Sequence, residues 1–153
     1  MHIVALLPHT GKPRAIALAR SLAPQLIDAG ILVCTSPATS SALDLPQVRD
    51  DAQSFEQADA AIVMGGDGAL LRAARLLYGL DVPILAVNLG HMGFLAAIEP
   101  DELDHAVQRL LDGDYRIEER MMIEATVMRA EACVSVHRAL NDIVIARGTF
   151  ARM

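Results

Sequence analysis

The stretch Ala60-Ala61-Ile62-Val63-Met64-Gly65-Gly66-Asp67-Gly68-Ala69-Leu70-Leu71-Arg72-Ala73 decides the fold. Its first five residues are a short apolar run, which reads as a buried strand. Helical spacing takes over at Ala69, Leu70, Ala73, Leu76 and Leu77, with Gly79 placed to close the helix. A strand passed to a helix through a glycine-rich turn is the βα unit of a parallel sheet.

The same alternation extends on both sides. Ile3 to Leu7 is an apolar run stopped by Pro8. Pro13 suits a first helical turn, and Ile16, Ala19, Leu22, Ala23, Leu26 and Ile27 follow at helical spacing. Gly30 closes this helix, and Pro24 within it predicts a kink or a break. Ile31 to Cys34 and Ile84 to Val87 read as further strands. Residues 36–50, with Pro37, Ser40, Ser41 and Pro46, read as a loop, and residues 101–112 as a helix with Leu103, Val107, Leu110 and Leu111 on one face. After Gly113 the pattern changes. Met121 to Met128 alternates in part, Ala139 to Ala146 is another β-rich run, and no helical pattern separates them. The expectation is an α/β chain: a parallel-sheet nucleotide-binding domain over residues 1–113, then the truncated start of a β-rich second domain over residues 114–153.

Composition narrows the function. The 153 residues are 53% hydrophobic, too apolar for a disordered chain. No apolar run approaches the roughly 20 residues of a membrane span, and the apolar start lacks the basic flank of a secretory signal. Two cysteines, Cys34 and Cys133, are too few for a disulfide framework and lack zinc-site spacing, which points to a reducing cytoplasm. Aromatics are 3% and Trp is absent, against a base-stacking platform. Residues 99–124 hold nine acids against three arginines, which accounts for the whole net charge of −6. Such a segment repels phosphate backbones and counts against a nucleic-acid partner.

The chemistry concentrates at Gly65-Gly66-Asp67-Gly68. Glycines there permit positive φ and let backbone approach a ligand, while the following helix offers unpaired N–H groups and the positive end of its dipole to an anion. A carboxylate beside a phosphate site repels the ligand unless it has another task. Asp67 could hold magnesium, accept a proton from an attacking hydroxyl, or cap the helix. His9-Thr10-Gly11-Lys12 lacks the spacing of a P-loop, and no GxGxxG fingerprint is present.

A second loop, Asn88-Leu89-Gly90-His91-Met92-Gly93-Phe94-Leu95, follows the fourth strand. In a parallel sheet it opens at the same edge as the glycine turn, where open α/β folds bind ligands. The Asn88 amide suits a ribose or nicotinamide edge and equally suits turn chemistry. His91 lacks a partner at metal-ligand spacing. Asn141-Asp142 interrupts an apolar run, which marks a strand end or a ligand contact.

Taken together, these motifs resemble the NAD kinase family over nearly the whole chain. The resemblance rests on the opening strand with His9-Thr10-Gly11, the GGDG turn, the NLGHMGFL loop, the stretch Tyr115 to Arg120, and Leu140-Asn141-Asp142. GGDG alone is shared with diacylglycerol and sphingosine kinases and with phosphofructokinases, so a lipid kinase or a non-catalytic nucleotide-binding module are the alternatives. The loop from Asn88 to Leu95 singles out the NAD kinases. The resemblance implies transfer of a phosphoryl group from ATP or polyphosphate, with Mg²⁺ or another divalent cation, to the adenosine-ribose 2′-hydroxyl of NAD. It implies Asp67 as the catalytic proton acceptor and Gly65, Gly66, Gly68, Asn88, Gly90, Phe94, Asn141 and Asp142 at the nucleotides. No residue is assigned as a standing metal ligand. The resemblance also implies a homo-oligomer when full length, no membrane partner, and a chain that is an inactive N-terminal portion by itself. Ala69 stands where the family commonly has Thr, and Asp142 where Glu is usual.

Overall fold

Five apolar residues and a proline make β1 (Ile3–Pro8), followed by α1 (Pro13–Asp28), β2 (Leu32–Cys34), α2 (Pro37–Leu43) and α3 (Ala52–Glu56). Then come β3 (Ala60–Gly65), α4 (Asp67–Leu76), β4 (Ile84–Asn88), a 3₁₀ turn at Pro100–Glu102, α5 (Leu103–Asp112), β5 (Ile123–Arg129) and β6 (Ala132–Ala139). This computed structural model describes residues 1–90, 95 and 98–145. The chain divides into two compact units, Met1–Ile117 and Glu118–Met153.

In the first unit four parallel strands lie in the order β2-β1-β3-β4. Alternation along the strands splits the interior in two. Val4, Leu6, Ile62 and Met64 pack with Ala15, Ala19, Leu22, Ala23 and Leu26 of α1 and with Leu103, Val107 and Leu110 of α5. Ala5, Leu7, Ala61 and Val63 pack with Ala69 and Ala73 of α4, and with Leu77 and Phe55. Helices thus cover both faces, which is why β1 and β3 read as unbroken apolar runs. Each fully buried Leu or Ile contributes about 1.5–3 kcal/mol. From β1 the chain crosses to β2 on one side, and from β3 to β4 on the other. The boundary between β1 and β3 is therefore the switch point of the sheet, the place where such folds open a ligand crevice.

Local chemistry explains where elements start and stop. Gly30, at φ 82°, ends α1 in the left-handed region that glycine adopts without cost. Pro24 does not break α1: its ring lies exposed, so the Arg20 carbonyl it leaves without an intrahelical donor is on the side that water reaches. The segment expected as loop over 36–50 contains α2, a correction with a visible cause. Pro37 begins the helix after Ser36, Leu43 is buried, and Arg20 of α1 donates from Nε to Leu43 O (2.8 Å) and from Nη2 to Ala42 O (3.2 Å). A cation supplied by a distant helix satisfies the carbonyl end of α2. Asp51 caps α3, accepting from Ser54 N (2.7 Å) and Ser54 Oγ (2.9 Å), and these bonds hold its carboxyl below the usual aspartate range. Asp59 accepts from the backbone N–H groups of His2 and Ile3, which lowers its carboxyl likewise and ties the start of β1 to the start of β3.

Cys34 lies in the core of the sheet, its thiol pushed up to about 11 by burial and then by the charge of Asp51, whereas Cys133 on β6 is exposed. At pH 8 a thiol at that value is only about one part in a thousand thiolate. Alkylation of the native protein followed by peptide mass spectrometry should label Cys133 and leave Cys34 untouched until denaturant is added.

The second unit is an antiparallel hairpin of β5 and β6, with Thr126 opposite Val136 and a register shift at Val127/Met128. Its turn places Ala130 and Glu131 at positive φ (46° and 68°). The β-rich run expected from Ala139 onward begins where β6 in fact ends, and residues 140–145 are in no strand. Among the described residues, no helix is long and apolar enough to cross a membrane.

Candidate functional site

Three loops leave the carboxyl ends of the adjacent strands β1, β3 and β4, and hydrogen bonds join them. His9 N donates to Met64 O (2.8 Å), which holds the first loop against the end of β3. Gly65 is in register with Asn88, and Leu89 N donates to Gly65 O (2.6 Å), so the second and third loops emerge together. Lys12 Nζ donates to Leu89 O (2.9 Å), reaching from the first loop to the third.

The glycine turn owes its composition to space. Its φ angles are not positive; among the described glycines only Gly30, Gly79 and Gly113 have that conformation. This corrects the positive-φ part of the expectation for Gly65, Gly66 and Gly68, and leaves close backbone approach as the reason for glycine there. A side-chain carbon on Gly65 would stand 2.4 Å from the Cβ of Ala69, a clash with the first turn of α4. Carbons added at Gly66 or Gly68 would meet no described heavy atom within 4 Å. One glycine allows β3 and α4 to approach closely, and the other two leave volume that no described residue fills where the helix begins.

Gly66 occupies the N-cap position (φ −111°, ψ −170°), and Asp67 is the first residue of α4. The helix-capping alternative for Asp67 therefore loses its geometry, because the capping position is one residue earlier and has no side chain. Asp67 is half-buried, with Oδ1 shielded from solvent. At this position its carboxylate lies at the positive end of the α4 dipole.

Asn88 is buried, and its amide is engaged within the protein. Oδ1 accepts from Gly90 N (3.1 Å), and Nδ2 donates to Glu99 Oε1 (3.0 Å). The side chain shapes the third loop, and among the described residues these two bonds leave one N–H and one lone pair for a ligand. Gly90 lies against the first two loops: a carbon added there would be 3.4 Å from Lys12 Nζ and 3.7 Å from Gly66 Cα. The structure thus brings together Gly65, Gly66, Asp67, Gly68, Asn88 and Gly90. Phe94 lies outside the described residues. Asn141 and Asp142 belong to the second unit, exposed beyond the end of β6. Lys12 joins the cluster without having been singled out by its motif; the signal available in the sequence was that it is the chain's single lysine among thirteen basic residues.

Residues 4–115 match the family model of the ATP-NAD kinase N-terminal domain. The chain is 42% identical over 156 residues to an NAD kinase of Geobacter sp. strain M21, covering 100% of this chain and 54% of that protein. It is 41% identical to an NAD kinase of Moorella thermoacetica, covering 100% of this chain and 49% of that one. It thus spans about half the length of the curated relatives it matches. Among solved structures, yeast NADH kinase complexed with NADH superposes with a TM-score of 0.78 at 18% identity, covering 92% of this chain and 47% of that one, a likeness of fold.

Proposed function

The chain belongs to the ATP-NAD kinase family, and from that premise we propose that the full-length protein phosphorylates the adenosine-ribose 2′-hydroxyl of NAD to give NADP. The observation that supports this most directly is Asp67 standing as the first residue of α4, inside a glycine turn with open volume above Gly66 and Gly68. An anion-binding helix start with a carboxylate one residue inside it suits a reaction in which a hydroxyl must lose a proton beside a phosphate.

In the proposed reaction the 2′-hydroxyl oxygen attacks the terminal phosphorus of ATP or of polyphosphate. A new P–O bond forms to the ribose, the bond from that phosphorus to its bridging oxygen breaks, and the electron pair leaves with ADP or the shortened polyphosphate. Asp67 takes the hydroxyl proton. Proton loss late in a loose transition state does not require a strong base, so an aspartate suffices. Gly66 and Gly68 leave the phosphates room to approach the start of α4, Gly65 holds that start against β3, and Asn88 fixes the loop through Gly90.

The donor set fits magnesium carried in on the phosphates. Among the described residues no three His, Cys, Asp or Glu side chains converge, while a lone carboxylate at the glycine turn is the pattern for a metal held mainly by phosphates and water. Asp67 is the side chain that would reach it, and the bound ion would neutralise charge on the transferring group.

In the complete protein we assign the NAD contacts of the second unit to Asn141 and Asp142 and the third loop's apolar contact to Phe94, as the family resemblance implies. Self-association is part of the same reading, and the exposed Val127, Val134 and Val136 of the hairpin offer apolar surface for it. The two free cysteines favour a reducing cytoplasm. The test is direct: purified full-length protein incubated with NAD, ATP and Mg²⁺ should produce NADP, detected by an NADP-specific dehydrogenase. No NADP with ATP or with polyphosphate would refute the activity.

A further inference from the structure

We propose that Lys12 is a phosphate-binding residue of this site, its ammonium contacting a phosphate of one of the two nucleotides; the inference rests on the nucleotide-kinase reading above. Lys12 precedes α1, in a turn closed by Lys12 N donating to His9 O (2.9 Å). The side chain runs across to the third loop, where Nζ donates to Leu89 O (2.9 Å). Its ammonium and Gly66 Cα lie 3.4 and 3.7 Å from one point, the place a carbon on Gly90 would fill. The amine therefore sits beside the N-cap residue of α4, at the junction of all three loops.

Charge gives this placement a purpose. The glycine turn offers N–H groups and a helix dipole to an anion, but it also carries the Asp67 carboxylate. A phosphate brought beside that carboxylate needs a compensating cation. Lys12 makes no ion pair among the described residues, and Leu89 O uses one of the three donors of its ammonium. The remaining two are available to phosphate oxygens. The residue type agrees. Twelve of the thirteen basic side chains are arginine, suited to fork-shaped pairing, and the single lysine, a compact point charge, occurs beside Gly90 where the loops meet.

A lysine serving only as a strut between loops would have the same bond to Leu89 O, so the test must separate the two roles. Calorimetric titration of ATP, and separately of NAD, into full-length wild type, Lys12→Met and Lys12→Arg reads binding without needing turnover. Lys12→Met should weaken one nucleotide about 10- to 100-fold, the scale of one lost charge-assisted contact. Lys12→Arg should recover part of that loss. Weakening of ATP places the amine on the donor, and weakening of NAD places it on the acceptor's pyrophosphate. A second readout follows from amine chemistry: bound nucleotide should protect Lys12 from acetylation, scored on its peptide by mass spectrometry. If both nucleotides bind Lys12→Met with wild-type affinity, or acetylation of Lys12 is indifferent to nucleotide, the proposal is overturned. Wild-type protein that binds ATP yet makes no NADP would refute the proposed activity while leaving the Lys12 measurement intact.

Discussion

Asp67→Asn in the full-length protein should lower kcat by about 10²–10⁴, the usual extent of general-base assistance, with the affinity for NAD little changed. The substitution keeps the shape and removes the ability to accept the 2′-hydroxyl proton. It is informative because of where Asp67 stands. As the first residue of α4, after a capping position occupied by Gly66, it supplies no cap that the variant would lose. Its structural contribution includes the favourable placement of negative charge at a helix start, up to about 2 kcal/mol in a partly buried setting. A thermal melt of the variant measures that part by itself. A stable variant whose kcat stays depressed at saturating Mg²⁺ identifies Asp67 as the base, whereas wild-type turnover would reduce it to a dipole partner and remove the mechanism.

Most of the first unit was legible in the sequence because its elements are strongly patterned. β1 and β3 are buried on both faces, so each is an uninterrupted apolar run, and α1, α4 and α5 show helical spacing closed or followed by glycine. Where the sequence misled, the stabilising groups were distant. The α2 helix ends against Arg20, far earlier in the chain, and a reading based on the Pro and Ser content of residues 36–50 has no access to that contact. The strand β6 was missed for a different reason. The hairpin turn puts Ala130 and Glu131 at positive φ, a conformation that Asn and Gly ordinarily announce, so no turn signal marked its start. Leu76 fits the helical spacing and is nevertheless 48% exposed, because periodicity gives a face and not its width.

The site divides along the same line. The residue types of the glycine turn indicated an anion site, and the strand-to-helix context placed it at the sheet edge. The physical use of each glycine was not legible: positive φ and open space both select glycine, and only the positions of Ala69 and of the neighbouring loops tell them apart. Asn88 presents the same ambiguity, since an amide can bind a ribose or brace a turn. Its bonds to Gly90 and Glu99 show that bracing occupies half of its capacity. Lys12 was hidden because its motif has no P-loop spacing. Its relevance comes from the register of β1, β3 and β4, which brings the loops carrying residues 12, 66 and 90 together, with Lys12 Nζ and Gly66 Cα both near Gly90.

That distinction among the glycines yields the second large effect, through a pair of substitutions two bonds of logic apart. Gly66→Val should abolish nucleotide binding while leaving the protein folded. The backbone at Gly66 is extended and accessible to any residue, and no described atom lies within 4 Å of the first carbon that would be added, so that carbon meets no described atom and the side chain enters volume assigned to phosphate. Gly65→Ala should do the reverse. Its carbon would press 2.4 Å from Ala69 Cβ, forcing the start of α4 away from β3, and such overpacking costs about 1–3 kcal/mol. Calorimetry with ATP and a thermal melt on both variants therefore give crossed outcomes: wild-type melting without binding for Gly66→Val, and reduced melting for Gly65→Ala. Normal ATP and NAD affinity in Gly66→Val would show that the phosphates lie elsewhere. A lowered melting temperature in that variant would show instead that the open space is needed by the chain itself, and the assignment of the turn to ligand would fail on that ground.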